Sequence, residues 1–69
     1  AKFQKGDFDG AIEDYSQVLK INPKDSDSFF NRANVKKDLG DLKGACEDWK
    51  KAAELGDEDA AKLFKQNCQ

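Results

Sequence analysis

The side chains that could do chemistry in this chain are two acidic clusters, three serines and two cysteines. The chain contains no histidine, the side chain that most often serves as a general base at neutral pH. The serines therefore have no base at a meaningful spacing. The acidic clusters, Asp7/Asp9 and 57–59, lack the spacing and the closing glutamate of a calcium loop, and they fit the first turns of helices better. The sequence predicts that the protein is not an enzyme and holds no metal or other cofactor.

The glycines could form a phosphate-binding loop and the cysteines a zinc site, but the sequence supports neither. The glycine pairs four residues apart lack the Lys-Ser/Thr that a phosphate-binding loop needs. Cys46 and Cys68 do not have the spacing of zinc ligands. Cys46 is the counterpart of Ile12 in an internal repeat, so we expect a small core side chain there. A Cys46–Cys68 disulfide stays open at this point.

Composition and charge narrow the classes of partner. The 69 residues carry a net charge of -2, and charged and apolar side chains each make up 38% of the chain. Lys and Arg are mixed with Asp and Glu, so no basic tract offers a surface for nucleic acid. The apolar runs are far too short to insert into a membrane. We therefore expect one small domain that binds neither nucleic acid nor membrane.

The start of the chain bears on its origin. It reads Ala1-Lys2-Phe3, without an initiator methionine and without the pattern of a signal peptide. This beginning predicts a fragment of a longer protein. The compartment stays open, with the cytoplasm slightly favoured.

The chain repeats itself at a regular spacing, from Gly6 to Gly40 and from Gly10 to Gly44. Small and turn residues recur unchanged, and large apolar residues recur with only a change of kind. A period of this length indicates a helical solenoid, in which neighbouring units stack on each other. The matching segments are Gly6-Asp7-Phe8 with Gly40-Asp41-Leu42, Gly10-Ala11 with Gly44-Ala45, Glu13-Asp14-Tyr15 with Glu47-Asp48-Trp49, and Phe29-Phe30 with Leu63-Phe64.

Apolar side chains at three- and four-residue steps predict four helices, each with one buried stripe. We expect them over 10–21, 27–39, 42–55 and 60–67, after a helix remnant over 1–5 that stops at Gly6. Short loops make neighbouring helices antiparallel. The predicted apolar positions are Phe8, Ala11, Ile12, Tyr15, Val18 and Leu19 in the first helix, and Leu42, Ala45, Cys46, Trp49, Ala52 and Ala53 in the third.

These residues together resemble the tetratricopeptide repeat, a helix-turn-helix unit with the same period. The chain departs from the family at Arg32, where the family has a bulky residue, and at Asp57, where it has a proline. Residues 45–61 also resemble a Sel1-type repeat. The likeness rests on Phe29, Ala33, Gly40, Leu42, Ala45, Trp49, Ala52 and Leu55 in one unit, and on Gly6, Phe8, Ala11, Tyr15, Val18, Ile21 and Pro23 in the unit before it.

The resemblance implies an all-α, helix-turn-helix superhelical repeat over residues 1–69. This solenoid would contain about one and a half repeats plus a C-terminal capping helix. Residues 1–25 would form the C-terminal part of one repeat, 26–59 a full repeat and 60–69 the cap. The polar outer face of the cap suits the end of a solenoid.

The resemblance also implies a protein–protein interaction module that holds a peptide or a partner domain on its concave helix face. Two simpler interpretations stand beside it: Asn34 and Lys37 belong to a solvated face, and Phe30 and Phe64 belong to the core. By register, the predicted partner-binding residues are Asp27, Phe30, Asn31, Asn34, Lys37 and Asp38, with Lys65 from the last helix beside Ala61, Phe64 and Cys68.

A structural self-assembly module is the alternative function. The apolar face of the first helix lacks a partner helix if that helix begins a truncated array. Phe8, Tyr15 and Leu19 would then contact a second copy and extend the solenoid or form a two-fold dimer. The sequence thus offers self-association through residues 8–19 as its second prediction.

Overall fold

The computed structural model describes the backbone of residues 5–68 and the side chains of residues 8–68. Four helices follow one another in this part of the chain: α1 (Lys5–Ile21), α2 (Ser26–Asp38), α3 (Leu42–Glu54) and α4 (Glu58–Cys68). Each helix packs against the next one along the chain. The described residues contain no strand, and the predicted all-α helical repeat is confirmed.

Aspartate side chains begin the last two helices. The Asp41 carboxylate accepts a hydrogen bond from the Gly44 N–H at 3.0 Å, which satisfies one of the free amides of the first turn of α3. The Asp57 carboxylate accepts from the Ala60 N–H at 3.2 Å in the same way. Because Asp57 is the capping residue, α4 begins at Glu58, before the predicted start at 60.

Glycines in the left-handed region end α2 and α3. Gly40 has a φ of 91° and Gly56 a φ of 107°. At the end of α2, the Gly40 N–H donates to the Lys37 carbonyl at 2.9 Å and the Asp41 N–H donates to the Lys36 carbonyl at 2.8 Å. These two bonds close the helix with the geometry that glycine adopts without steric penalty. They turn the chain back so that α3 can pack against α2.

Gly40→Ala and Gly10→Ala should change stability in opposite directions. Alanine at Gly40 must hold a positive φ, so we expect the free energy of unfolding to fall by about 1–2 kcal/mol. Gly10 lies inside α1, and a Cβ there would meet no atom within 4 Å. Alanine at Gly10 should therefore raise stability by about 0.5–1 kcal/mol. Thermal unfolding followed by circular dichroism measures both, and shifts of the same sign would contradict the conformational argument.

The predicted helix stop at Gly6 is wrong. Helix α1 begins at Lys5 and runs without interruption through Gly6. The residues that follow, up to Ile21, are all helical, so Gly6 lies within α1 and does not close a helix. The rest of the predicted remnant over 1–5 lies outside the described residues.

The core is centred on one tryptophan among alanines. Trp49 is 0% exposed, which confirms its predicted place in the core. Leu42, predicted in the buried stripe of α3, is 42% exposed because it is the first residue of that helix. Leu19 is buried within the chain, so the prediction that it contacts a second copy is wrong. The core cluster consists of Ala33, Ala45, Trp49, Ala52 and Ala60, against which Phe29, Phe30, Ala53, Leu63, Phe64 and Cys68 pack.

A disulfide joins Cys46 of α3 to Cys68 at the end of α4, with a Cα–Cα distance of 5.8 Å. Cys46 is therefore not the simple core side chain that the repeat position predicts. The bond also leaves neither cysteine with a free thiol. Its consequence for the fold is that both ends of α4 are attached, one through the turn at Gly56 and the other through the sulfur atoms.

Candidate functional site

The inner face of α2, defined by Phe29, Arg32 and Lys36, is occupied by contacts within the chain. The Arg32 guanidinium donates to both carboxylate oxygens of Asp48 at 2.8 Å. It also donates to the Ser16 hydroxyl at 2.9 Å, so one side chain connects α1, α2 and α3. The Lys36 ammonium lies 3.2 Å from the same carboxylate. This face therefore holds the bundle together and has no free charged group to offer a partner.

Burial makes this network electrostatically strong. The Asp48 side chain is only 5% exposed, yet two cations and two charge-assisted hydrogen bonds compensate its charge. The hydrogen bond to Asp48 raises the pKa of the Arg32 guanidinium above its ordinary value, although burial acts in the opposite direction. Arg32 also lies 5.6 Å from the centre of the Phe29 ring, within the range of a cation–π contact.

This network is absent from the sequence-based expectations, although one of its members stands out in the sequence. Arg32 occupies a bulky position of the repeat, and a charged side chain at such a position needs a buried partner. Asp48 precedes Trp49, so it lies beside the core. Arg32 and Asp48 both stand out in the sequence, but only the packing of α2 against α3 shows that they form an ion pair.

The outer face of α2 carries six of the seven predicted partner-binding residues. The side chains of Phe30, Asn31 and Asn34 are half-buried, and those nearer the ends are exposed. Among the described residues 8–68, no polar side chain of this face makes a hydrogen bond or an ion pair with another side chain or the backbone. The outer face consists of Asp27, Phe30, Asn31, Asn34, Lys37 and Asp38.

Lys65, the seventh predicted residue, lies in a separate groove between α3 and α4. The groove has a volume of about 380 Å³, and α2 contributes no side chain to it. Its lining combines apolar side chains with charged ones from both helices. The lining residues are Lys50, Ala53, Glu54, Ala61, Phe64 and Lys65. A common binding surface of Lys65 with the outer face of α2 stays a prediction.

A second groove, of about 410 Å³, lies between α2 and α3 beside the Arg32–Asp48 pair. Its charged rim mixes both signs. The lining residues are Phe29, Arg32, Glu47, Asp48, Lys50, Lys51 and Glu54. Arg32 and Asp48 already bind each other there, so the charged groups of this groove that make no ion pair within residues 8–68 are those that α3 contributes.

The described part of the chain has neither a cluster of metal ligands nor a helix that could span a membrane. No group of three or more acidic or cysteine side chains is placed to hold a metal ion in residues 8–68. None of the four helices is long and apolar enough to cross a membrane.

Comparison with known proteins supports the repeat assignment. A family model described as TPR repeat matches residues 1–40, and a model described as tetratricopeptide repeat matches residues 26–59. No curated protein and no solved structure matches the chain. The likeness of residues 45–61 to a Sel1-type repeat stays a prediction. The family model for the TPR repeat covers more than half of the chain, and the four helices follow the order of such repeats. The chain therefore belongs to the tetratricopeptide repeat family.

Proposed function

We propose that this chain is a protein–protein interaction module that holds an extended peptide segment of a partner on the outer face of α2. Tetratricopeptide repeats generally mediate protein–protein interactions, and the family is typically non-enzymatic. In this proposal residues 26–59 form a full repeat and residues 60–69 its cap. The absence of histidine from the sequence agrees with a binding role rather than catalysis.

The division of α2 into two faces is the observation that supports the proposal. Arg32 and Lys36 on the inner face are bound to Asp48. Asn31 and Asn34 are half-buried on the outer face, where their amides have no partner among residues 8–68. A partly desolvated amide without a partner gains more from a ligand hydrogen bond than a fully solvated one does.

The chemistry of the outer face suits a peptide backbone. Each asparagine amide can donate and accept at once, as a backbone N–H and C=O pair requires. Phe30 packs against the core and is half-buried, and its remaining surface gives an apolar contact beside them. Lys37 offers a cation to an acidic ligand group. The distance from Asp27 to Asp38 along the helix is about 16 Å, which matches about five residues of extended peptide.

The double variant Asn34→Ala/Lys37→Glu should lose the partner without unfolding. It removes one amide and reverses one charge on the outer face, and neither side chain makes a hydrogen bond or an ion pair within residues 8–68. We expect retention of the partner in a pull-down from lysate to fall at least about tenfold, equivalent to about 1.4 kcal/mol. Circular dichroism should be unchanged.

A matched control is Gln17→Ala/Lys20→Glu on α1. Like the test variant, it removes one side-chain amide and reverses one lysine charge three residues further along. The two side chains are exposed and belong to a different helix. The control should retain the partner. Equal retention by both variants would move the binding site away from the outer face of α2.

Self-association is the second candidate, because α1 exposes two apolar side chains. Val18 is 40% exposed and Ile21 is 85% exposed. Since Leu19 is buried, a second copy would contact these side chains together with the half-buried Tyr15. Light scattering over a concentration series separates the candidates, since a monomer at all concentrations excludes assembly.

A further inference from the structure

We propose that the Cys46–Cys68 disulfide is a redox-sensitive latch on α4. In the oxidised chain, the bond holds the end of α4 against α3. A dithiol reductant opens it, and the end of α4, residues 62–68, then detaches while α1, α2 and α3 stay folded. This device is independent of the proposed outer-face binding and concerns a different part of the molecule.

The first argument is that α4 has no polar attachment to the described parts of the other helices. In residues 8–68, no ion pair and no side-chain hydrogen bond joins α4 to α1, α2 or α3. The Asn67 amide donates to the Leu63 carbonyl at 2.9 Å, a bond within α4 itself. Apart from the disulfide, α4 is held by apolar contacts of Ala60, Leu63 and Phe64 with the core.

The second argument is that the other three helices are attached differently. Arg32 binds Ser16 of α1 and Asp48 of α3 at the same time. Lys36 adds a further contact with Asp48. None of these bonds changes when a disulfide is reduced, so α1, α2 and α3 keep their connection in either redox state.

The third argument is the position of the bond along α4. The turn at Gly56 and the buried Ala60 hold the beginning of this helix. Cys68 is its last residue, so the disulfide holds the opposite end. A helix of 11 residues is marginal by itself in water. Once the bond opens, only the apolar contacts of Leu63 and Phe64 hold the second half of α4.

The opening reaction is ordinary thiol–disulfide exchange. A thiolate of the dithiol attacks one sulfur of the Cys46–Cys68 bond and forms a mixed disulfide, while the other cysteine leaves as a thiolate and takes up a proton. The second thiol of the reductant then displaces the remaining cysteine. Two electrons pass to the protein, which ends with two thiols, and the reductant ends as its own disulfide. Both cysteines are only half-buried, which gives the reductant access.

Opening of the latch changes one surface of the molecule. The groove between α3 and α4 has Ala53 on one wall and Phe64 on the other. Detachment of α4 separates these walls and exposes the apolar side chains that now face each other. The redox state thus decides whether this groove exists, whereas the outer face of α2 is unaffected.

Hydrogen exchange of the whole chain, oxidised and then reduced with dithiothreitol, tests the latch. The bond closes a segment with a sequence separation of 22, so its loss should favour local opening by on the order of a hundredfold. We expect the amides of residues 62–68 to exchange faster by about that factor. The amides of α2 should change by less than about threefold, because the latch opens only α4.

The matched control is the Cys46→Ala/Cys68→Ala variant. It should exchange like the reduced chain and should not respond to dithiothreitol. Acceleration by the same factor in all helices, or complete unfolding of the reduced chain, would overturn the proposal. Either result would show that the disulfide stabilises the whole domain and not α4 alone. Unchanged exchange in α4 would overturn it too, because the bond would then hold nothing that the apolar contacts do not hold.

Discussion

Trp49→Ala is expected to lower the free energy of unfolding by about 3–5 kcal/mol. The side chain is 0% exposed and is the largest in the core cluster. Its neighbours there include Ala33, Ala45 and Ala52, whose small side chains cannot expand into the cavity. A domain of this size has only a few kcal/mol of net stability. We therefore expect the variant to lose its cooperative transition in thermal unfolding.

Two controls separate the volume of Trp49 from its chemistry. Trp49→Phe keeps most of the buried volume, and the indole N–H that it removes has no hydrogen-bond partner in residues 8–68. We expect this change to cost less than about 1.5 kcal/mol. Tyr15→Ala truncates the half-buried counterpart in the preceding repeat and should cost less than Trp49→Ala. A cooperative melt of Trp49→Ala, shifted only slightly, would contradict the central role of the tryptophan.

The sequence was sufficient to predict the helices because their signals are local. Gly40 and Gly56 end helices as expected, since only glycine takes a positive φ without strain. Asp41 caps α3 through its own side chain. Gly6 is the exception, because it lies within α1 and does not end a helix. The same residue type therefore ends one helix and lies inside another.

Contacts between helices could not be predicted in the same way. Arg32 and Asp48 are 16 residues apart, and their meeting depends on how α2 packs against α3. The Cys46–Cys68 bond depends on the distance between two helices, which spacing in the sequence does not determine.

The candidate site shows the same division between local and long-range information. The period of α2 predicted its outer face, including Asn31 and Asn34, because a helix fixes which residues share a side. The same register grouped Lys65 with them. In the structure Lys65 lines a groove with α3 residues, since the orientation of α4 follows from its packing and its disulfide as well as from the repeat.

Asp48→Asn should be the second most damaging change. Removal of one partner from a fully buried ion pair costs about 3–5 kcal/mol. Because this network is partly exposed, we expect a smaller loss of about 2–3 kcal/mol in the free energy of unfolding. The Arg32 and Lys36 side chains are 18% and 20% exposed, so water can compensate part of their charge. Asparagine keeps the shape of the side chain but accepts only one strong hydrogen bond from Arg32. Chemical denaturation at neutral pH measures the loss.

Asp14→Asn is the matched control for this prediction, because Asp14 is the counterpart of Asp48 in the preceding repeat and is exposed on α1. It should change stability by less than about 0.5 kcal/mol. Equal midpoints for the two variants would show that the network contributes little.

The double variant Arg32→Leu/Asp48→Leu then distinguishes stability from specificity. Buried ion pairs are often replaced by apolar pairs without loss. Recovery in the double variant would therefore mean that Arg32 and Asp48 chiefly fix how α1, α2 and α3 align, whereas continued loss would mean that their hydrogen bonds stabilise the bundle directly.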